Sequence, residues 1–170
     1  PETERVINEA NDSLHSDYAC IALLKHQDDV TTAEYNKDGG LIVTASNDGV
    51  CRIWNSRSAE KLLELKSDFK QMTGASFNSD ATEIVTSFAN GIVLIWDVST
   101  GRILKSLKGH KASVKYACFS PNNKYVLTAS DDKTVKLWDA KTGLALKDII
   151  VHDDIVNWAV FSSDGSKVIS

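Results

Sequence analysis

The chain of 170 residues carries 19 Lys and Arg against 23 Asp and Glu, a net charge of −4 whose excess is local. Residues 1–17 hold Glu2, Glu4, Glu9, Asp12 and Asp17 against Arg5, so the remainder balances, 19 − 1 bases against 23 − 5 acids. That neutrality excludes electrostatic capture of nucleic acid or of an anionic membrane as the main work, and no apolar run approaches the ~18 residues needed to span a bilayer.

Residues 1–17 lack aromatic residues and any periodicity, and read as an acidic lead-in or linker. Beyond them one pattern governs the chain. Cys51-Arg52-Ile53-Trp54, Val93-Leu94-Ile95-Trp96 and Val135-Lys136-Leu137-Trp138 are near copies, and their tryptophans lie 42 residues apart. The same step links His26, Asp68, His110 and His152; Thr44, Thr86, Thr128 and Ser170; and Asp48, Asn90 and Asp132. An alanine recurs at 33, 75, 117 and 159, and an aromatic two places later at Tyr35, Phe77, Phe119 and Phe161. A fixed period near 40–45 residues marks a fold built from stacked copies of one unit.

Residues 18–25 align with the end of a copy, copies follow at about 26–67, 68–109 and 110–151, and a partial one runs from 152 to 170. The third copy shows the content of each. Val114–Phe119 predicts a strand, closed by Ser120-Pro121-Asn122-Asn123, where proline presets φ and asparagine tolerates a left-handed backbone. Tyr125–Ser130 predicts the second strand and Thr134–Trp138 the third. Leu144–Ile149 predicts a weaker outer one. In the first copy the second and third strands meet at Asn47-Asp48-Gly49, a tight-hairpin signal. Val, Ile and Thr dominate these runs and no helical apolar stripe interrupts them, so the fold class is all-β.

Gly109-His110, Asp132 and Trp138-Asp139 at this spacing, with Trp96-Asp97, resemble the WD-repeat β-propeller family over residues 18–170. The resemblance implies an arc of four-stranded antiparallel blades, part of a larger closed propeller completed by the same longer chain or by another chain. It also implies buried hydrogen-bonded sets of His, Thr, Asp and Trp, here His26–Thr44–Asp48–Trp54 and His110–Thr128–Asp132–Trp138. The second copy has Asp68 and Asn90 in place of histidine and aspartate, and is expected to hold by packing and to open first.

Candidate chemistry is sparse. The histidines have acids nearby (Asp28, Asp29, Asp153, Asp154), but the repeat puts each on a different copy, and no short metal-binding motif accompanies them, so no metal is expected. Asp131-Asp132 is a carboxylate pair of which Asp132 belongs to the repeat. No phosphate loop or nucleophile motif is present, and neither catalysis nor a cofactor is expected. Cys20, Cys51 and Cys118 are odd in number and share no column, which favours reduced thiols and a cytoplasmic or nuclear setting.

Some columns vary while the core columns stay fixed. They include Thr31, Thr73, Lys115 and Asn157, and Asn47, Ala89 and Asp131. In the resembled family these columns lie on the top face around the channel mouth, where protein or peptide partners dock. The contacts expected here are Lys115, Asp131 and Asn157, then Thr31, Asn47 and Thr73. Trp158 stands outside the tryptophan column and is expected to fill space beside a neighbouring copy. The function expected is a non-enzymatic protein-interaction scaffold, with a sensor or autoinhibitory module of a signalling protein as the alternative.

Overall fold

The structure, a computed structural model, describes residues 23–170; the acidic lead-in and Cys20 lie outside the described residues, as do the side chains of residues 147–149. Each copy of the repeat forms one antiparallel sheet whose strands pair in chain order. The first sheet holds β1 (Val30–Tyr35), β2 (Leu41–Ser46), β3 (Val50–Asn55) and β4 (Lys61–Lys66). The second holds β5 (Met72–Phe77), β6 (Glu83–Phe88), β7 (Val93–Asp97) and β8 (Ile103–Leu107). The third holds β9 (Val114–Phe119), β10 (Tyr125–Ser130), β11 (Thr134–Asp139) and β12 (Ala145–Val151). A two-stranded sheet follows, β13 (Val160–Phe161) with β14 (Val168–Ile169).

The outer strand of the third sheet starts one residue later and runs two further than Leu144–Ile149. The Leu144 carbonyl is occupied closing the preceding turn, where it accepts from the Asp139 N–H at 2.9 Å. At the other end Val151 still pairs with Thr134.

Alternating side chains give every sheet two apolar faces, and neither can be buried within one sheet. The sheets therefore stack in sequence. Val43, Ala45, Ile53 and Leu65 of the first meet Phe77, Ile84, Leu94 and Trp96 of the second. Val85, Val93, Ile95 and Leu107 of the second meet Val114, Phe119, Val126 and Trp138 of the third. Leu127, Ala129 and Val135 then meet Val156, Ala159 and Phe161. Trp96 and Trp138 are each 1% exposed at these seams. A buried tryptophan removes about 150–250 Å² from water, roughly 4–6 kcal/mol before entropy is counted. This is the blade stacking of a partial β-propeller, and among the described residues there is no helix.

Two irregularities recur in every full sheet. Where the first and second strands pair, the register skips Thr31, Thr73 and Lys115. Where the third and fourth pair, it skips Leu62, Leu104 and Leu146. Each is a β-bulge, which leaves one residue out of the ladder and re-aims its side chain.

Candidate protein-binding face

The turns between second and third strands share one end of the stack with the residues that lead into each first strand, and this end is the top face. In the third sheet a buried polar set fixes it. The His110 ring donates from Nδ1 to Asp132 Oδ2 at 2.7 Å, and its Nε2 meets the Thr128 hydroxyl at 2.6 Å. Trp138 Nε1 donates to that same hydroxyl at 2.9 Å. Asp132 accepts further from the Lys111 N–H and from the Thr134 N–H and hydroxyl. Burial pushes the Asp132 carboxyl up, but Thr134, Lys111 and His110 together outweigh it and hold it well below the usual carboxylate range.

The first sheet joins the same residue types differently. His26 Nε2 meets Thr44 Oγ1 at 2.7 Å and Trp54 Nε1 donates to it at 2.8 Å. Asp48, however, reaches the ring through Arg52. The buried guanidinium donates to His26 Nδ1, to Asp48 Oδ2 at 2.9 Å and to Glu64 Oε1 at 3.2 Å. Burial and the Arg52 charge hold His26 below its ordinary value, while Asp48 and Glu64 act against them. In the second sheet only the Trp96-to-Thr86 bond remains, at 2.8 Å. Asp68 is exposed, and the vacated interior is filled by Phe88 and Phe69, edge to face at 5.7 Å between centroids.

The sets of the first and third sheets hold the turns that carry Asn47 and Asp131. Lys115 Nζ pairs with Asp131 Oδ2 at 3.0 Å, both side chains partly exposed, while Asp131 Oδ1 is buried and accepts no hydrogen bond. Asn157 is exposed beside a cavity of about 380 Å³ lined also by His152, Ile155 and Trp158. Asn47 is half-buried and accepts at its carbonyl from the Gln71 N–H across the first seam. Thr31 and Thr73 are engaged in stitching the stack. Their hydroxyls donate to the carbonyls of Met72 and Val114 in the next sheet. Trp158 lies edge to face on Tyr116 with centroids 5.6 Å apart and keeps 56% of its surface exposed.

The model of the WD40 family (WD domain, G-beta repeat) matches residues 18–55 and 101–139. Residues 18–55 and 101–139 are thus WD repeats. A search of curated proteins returned no significant match. The two matched stretches belong to the WD repeats that carry a histidine and an aspartate in their sets; the repeat with Asp68 and Asn90 lies between them. WD repeats generally build protein–protein interaction scaffolds and are typically non-enzymatic.

Arg52 is the functional residue that the sequence pattern did not single out. It shares a column with Leu94 and Lys136, which looks like drift until the pairing of Thr44 with Arg52 and of Thr128 with Lys136 puts that column beside the threonine. The bulges escape notice for another reason. All copies contain them, so the 42-residue period is undisturbed.

Proposed function

We propose that the chain is a non-enzymatic platform whose top face holds a protein or peptide partner, with Lys115, Asp131 and Asn157 as the principal contacts. One observation carries the choice. The bulge lifts the same column out of the ladder three times, and in the first two sheets its threonine hydroxyl binds the next sheet, whereas in the third Lys115 pairs with Asp131. A half-exposed ion pair contributes at most about 1 kcal/mol to stability, so stability alone does not account for it. The exposed parts of this amine and carboxylate suit recognition by a polar partner segment. Buried sets below fix the presenting turns, which limits the ordering cost of binding.

Affinity capture from cells with wild-type chain, Lys115→Glu, and Lys124→Glu as a surface control tests this. Partners that Lys115→Glu loses and Lys124→Glu keeps are expected, at an unchanged melting temperature. Asp132→Ala, by contrast, should cost about 1–3 kcal/mol by stranding buried donors. Equal loss of stability in Lys115→Glu and Asp132→Ala, or capture indifferent to Lys115, would refute the division between contact and core.

A further inference from the structure

The tight turn of the second blade holds the only Asn-Gly pair in the sequence, Asn90-Gly91. Glycine has no Cβ to keep its nitrogen from the asparagine side chain, and asparagine is among the residues that time and heat degrade. Whether such a pair reacts in a folded protein depends on how firmly the turn holds the reacting atoms.

The three corresponding turns differ on this point. In the first blade Asp48 also precedes a glycine, but its carboxylate is bound on both oxygens. Oδ1 accepts from the Val50 N–H at 2.9 Å, and Oδ2 from the Arg52 guanidinium at 2.9 Å and the Gln27 N–H at 3.2 Å. In the third blade Asp132 is bound by His110, Lys111 and Thr134, and Lys133 stands where the others have glycine. The second blade has lost these partners, with exposed Asp68 for the histidine and buried Leu94 for the base. Asn90 is exposed, and among the described residues its carboxamide makes one hydrogen bond, which Oδ1 accepts from the Ile92 N–H at 3.1 Å. No acceptor among those residues holds Nδ2. The Gly91 nitrogen is tied once, to Phe88 O at 3.2 Å. The one bond Asn90 keeps favours reaction, because attack at Cγ builds negative charge on Oδ1, where the Ile92 N–H already points.

We propose that Asn90 is a self-modification site, which converts to aspartate and isoaspartate through a cyclic imide. The Gly91 nitrogen loses its proton to solvent base and attacks Cγ. The N–Cγ bond forms, the Cγ–Nδ2 bond breaks, and Nδ2 leaves as ammonia with a proton from water. Water then opens the imide. Cleavage of the new N–Cγ bond gives aspartate, whereas cleavage of the original peptide bond gives isoaspartate, whose backbone runs through the former side chain. Aspartate restores the column of Asp48 and Asp132, with the Ile92 N–H in place as its first donor. Isoaspartate adds a backbone methylene beside Gly91, where a Cβ would already lie 3.0 Å from the carbonyls of Ala112 and His110, and so disturbs the second seam. Either product brings a new negative charge to the top face.

The test uses the unsubstituted chain, so it depends on no variant folding. The chain is incubated at pH 7.5, sampled over weeks, and mapped by proteolysis and mass spectrometry, with electron-transfer fragmentation to tell isoaspartate from aspartate. The segment carrying Asn90 should gain one dalton in two forms, aspartyl and isoaspartyl, faster as the pH is raised. Because a turn at the tip of a blade opens readily, its rate should lie within about tenfold of that of the free peptide Ser-Phe-Ala-Asn-Gly-Ile-Val. Asp48-Gly49 cyclises by the same route with loss of water, and its bonds should hold it at least about a hundredfold below its own free peptide. A rate at Asn90 beyond that tenfold limit would mean that the turn protects it, and would overturn the proposal. Aspartate without isoaspartate would exclude attack by Gly91. Equal retardation at Asn90 and Asp48 would defeat the proposal too, since the lost partners would then make no difference.

Discussion

His26 and His110 fill one slot of the repeat yet hold their protons on opposite nitrogens. Arg52 can only donate, so His26 Nδ1 accepts from it and the proton sits on Nε2, directed at Thr44. Asp132 accepts, so neutral His110 carries its proton on Nδ1. The difference has a pH consequence for His26, whose folded pKa lies below the ordinary 6.5 because of burial and then Arg52. Its stabilising contribution is complete above pH 6.5, where both states are neutral. It is lost as pH falls below that value, because the unfolded ring takes a proton that the folded ring resists. Long-range ¹⁵N–¹H spectra at pH 7.5 should show the Nε2–H tautomer for His26 and Nδ1–H for His110, with His26 titrating below an ordinary histidine. Identical tautomers in the two rings would mean that Arg52 does not sit where its bonds place it.

The second blade shows how a repeat can lose its polar set without losing its place. Four columns change together: histidine to Asp68, serine to Phe88, aspartate to Asn90 and the basic residue to Leu94. Replacing both partners of a buried polar pair with apolar groups is close to neutral, whereas removing one is costly. Phe88 is fully buried, and clusters cover both faces of the sheet. Packing does hold this blade, as its sequence suggests, but early opening does not follow from packing that is complete. Hydrogen exchange should protect β6 and β7 at least as well as β2 and β10. Phe88→Ala should cost about 3–5 kcal/mol, measured by denaturant unfolding, because Phe69 loses its ring partner and a cavity opens. A cost below about 1 kcal/mol would show the aromatic pair to be incidental. The columns of Asp68 and Asn90 were legible in the sequence as losses. The compensation by Phe88 was not, since one aromatic among serines has no period of its own.

Strands, turns and the stacking order were legible because each depends on residues that repeat: the alanine, aromatic and tryptophan columns lie on the faces that meet. What the sequence concealed is how the blades approach one another, because that depends on backbone and not on side-chain pattern. Gly49 and Gly91 occupy one column with φ of +82° and +85°, and a Cβ would meet Phe69 O at 2.5 Å or the carbonyls of Ala112 and His110 at 3.0 Å. The third member of the column is Lys133, also left-handed at φ 70°, whose amine reaches the Asp153 carbonyl at 2.7 Å. At the first two seams a glycine therefore lets backbone approach backbone, while at the third the Lys133 amine adds to the backbone bonds from the His152 and Val156 N–H groups to the carbonyls of Lys133 and Ser130. Alanine at Gly49 meets two penalties at once, a left-handed backbone and a fixed carbonyl that cannot yield without moving the second blade. Gly49→Ala should thus destabilise by more than about 1 kcal/mol, and Gly91→Ala by less, since its approach is half an ångström looser. Lys133→Gly removes the left-handed cost but also the bond to Asp153, and should leave stability within about 1 kcal/mol of wild type. Unfolding midpoints of the three variants decide the matter: the order Gly49→Ala, Gly91→Ala, Lys133→Gly from least to most stable follows from seam geometry, whereas equal effects of the two alanines would mean that backbone dihedral alone sets the cost.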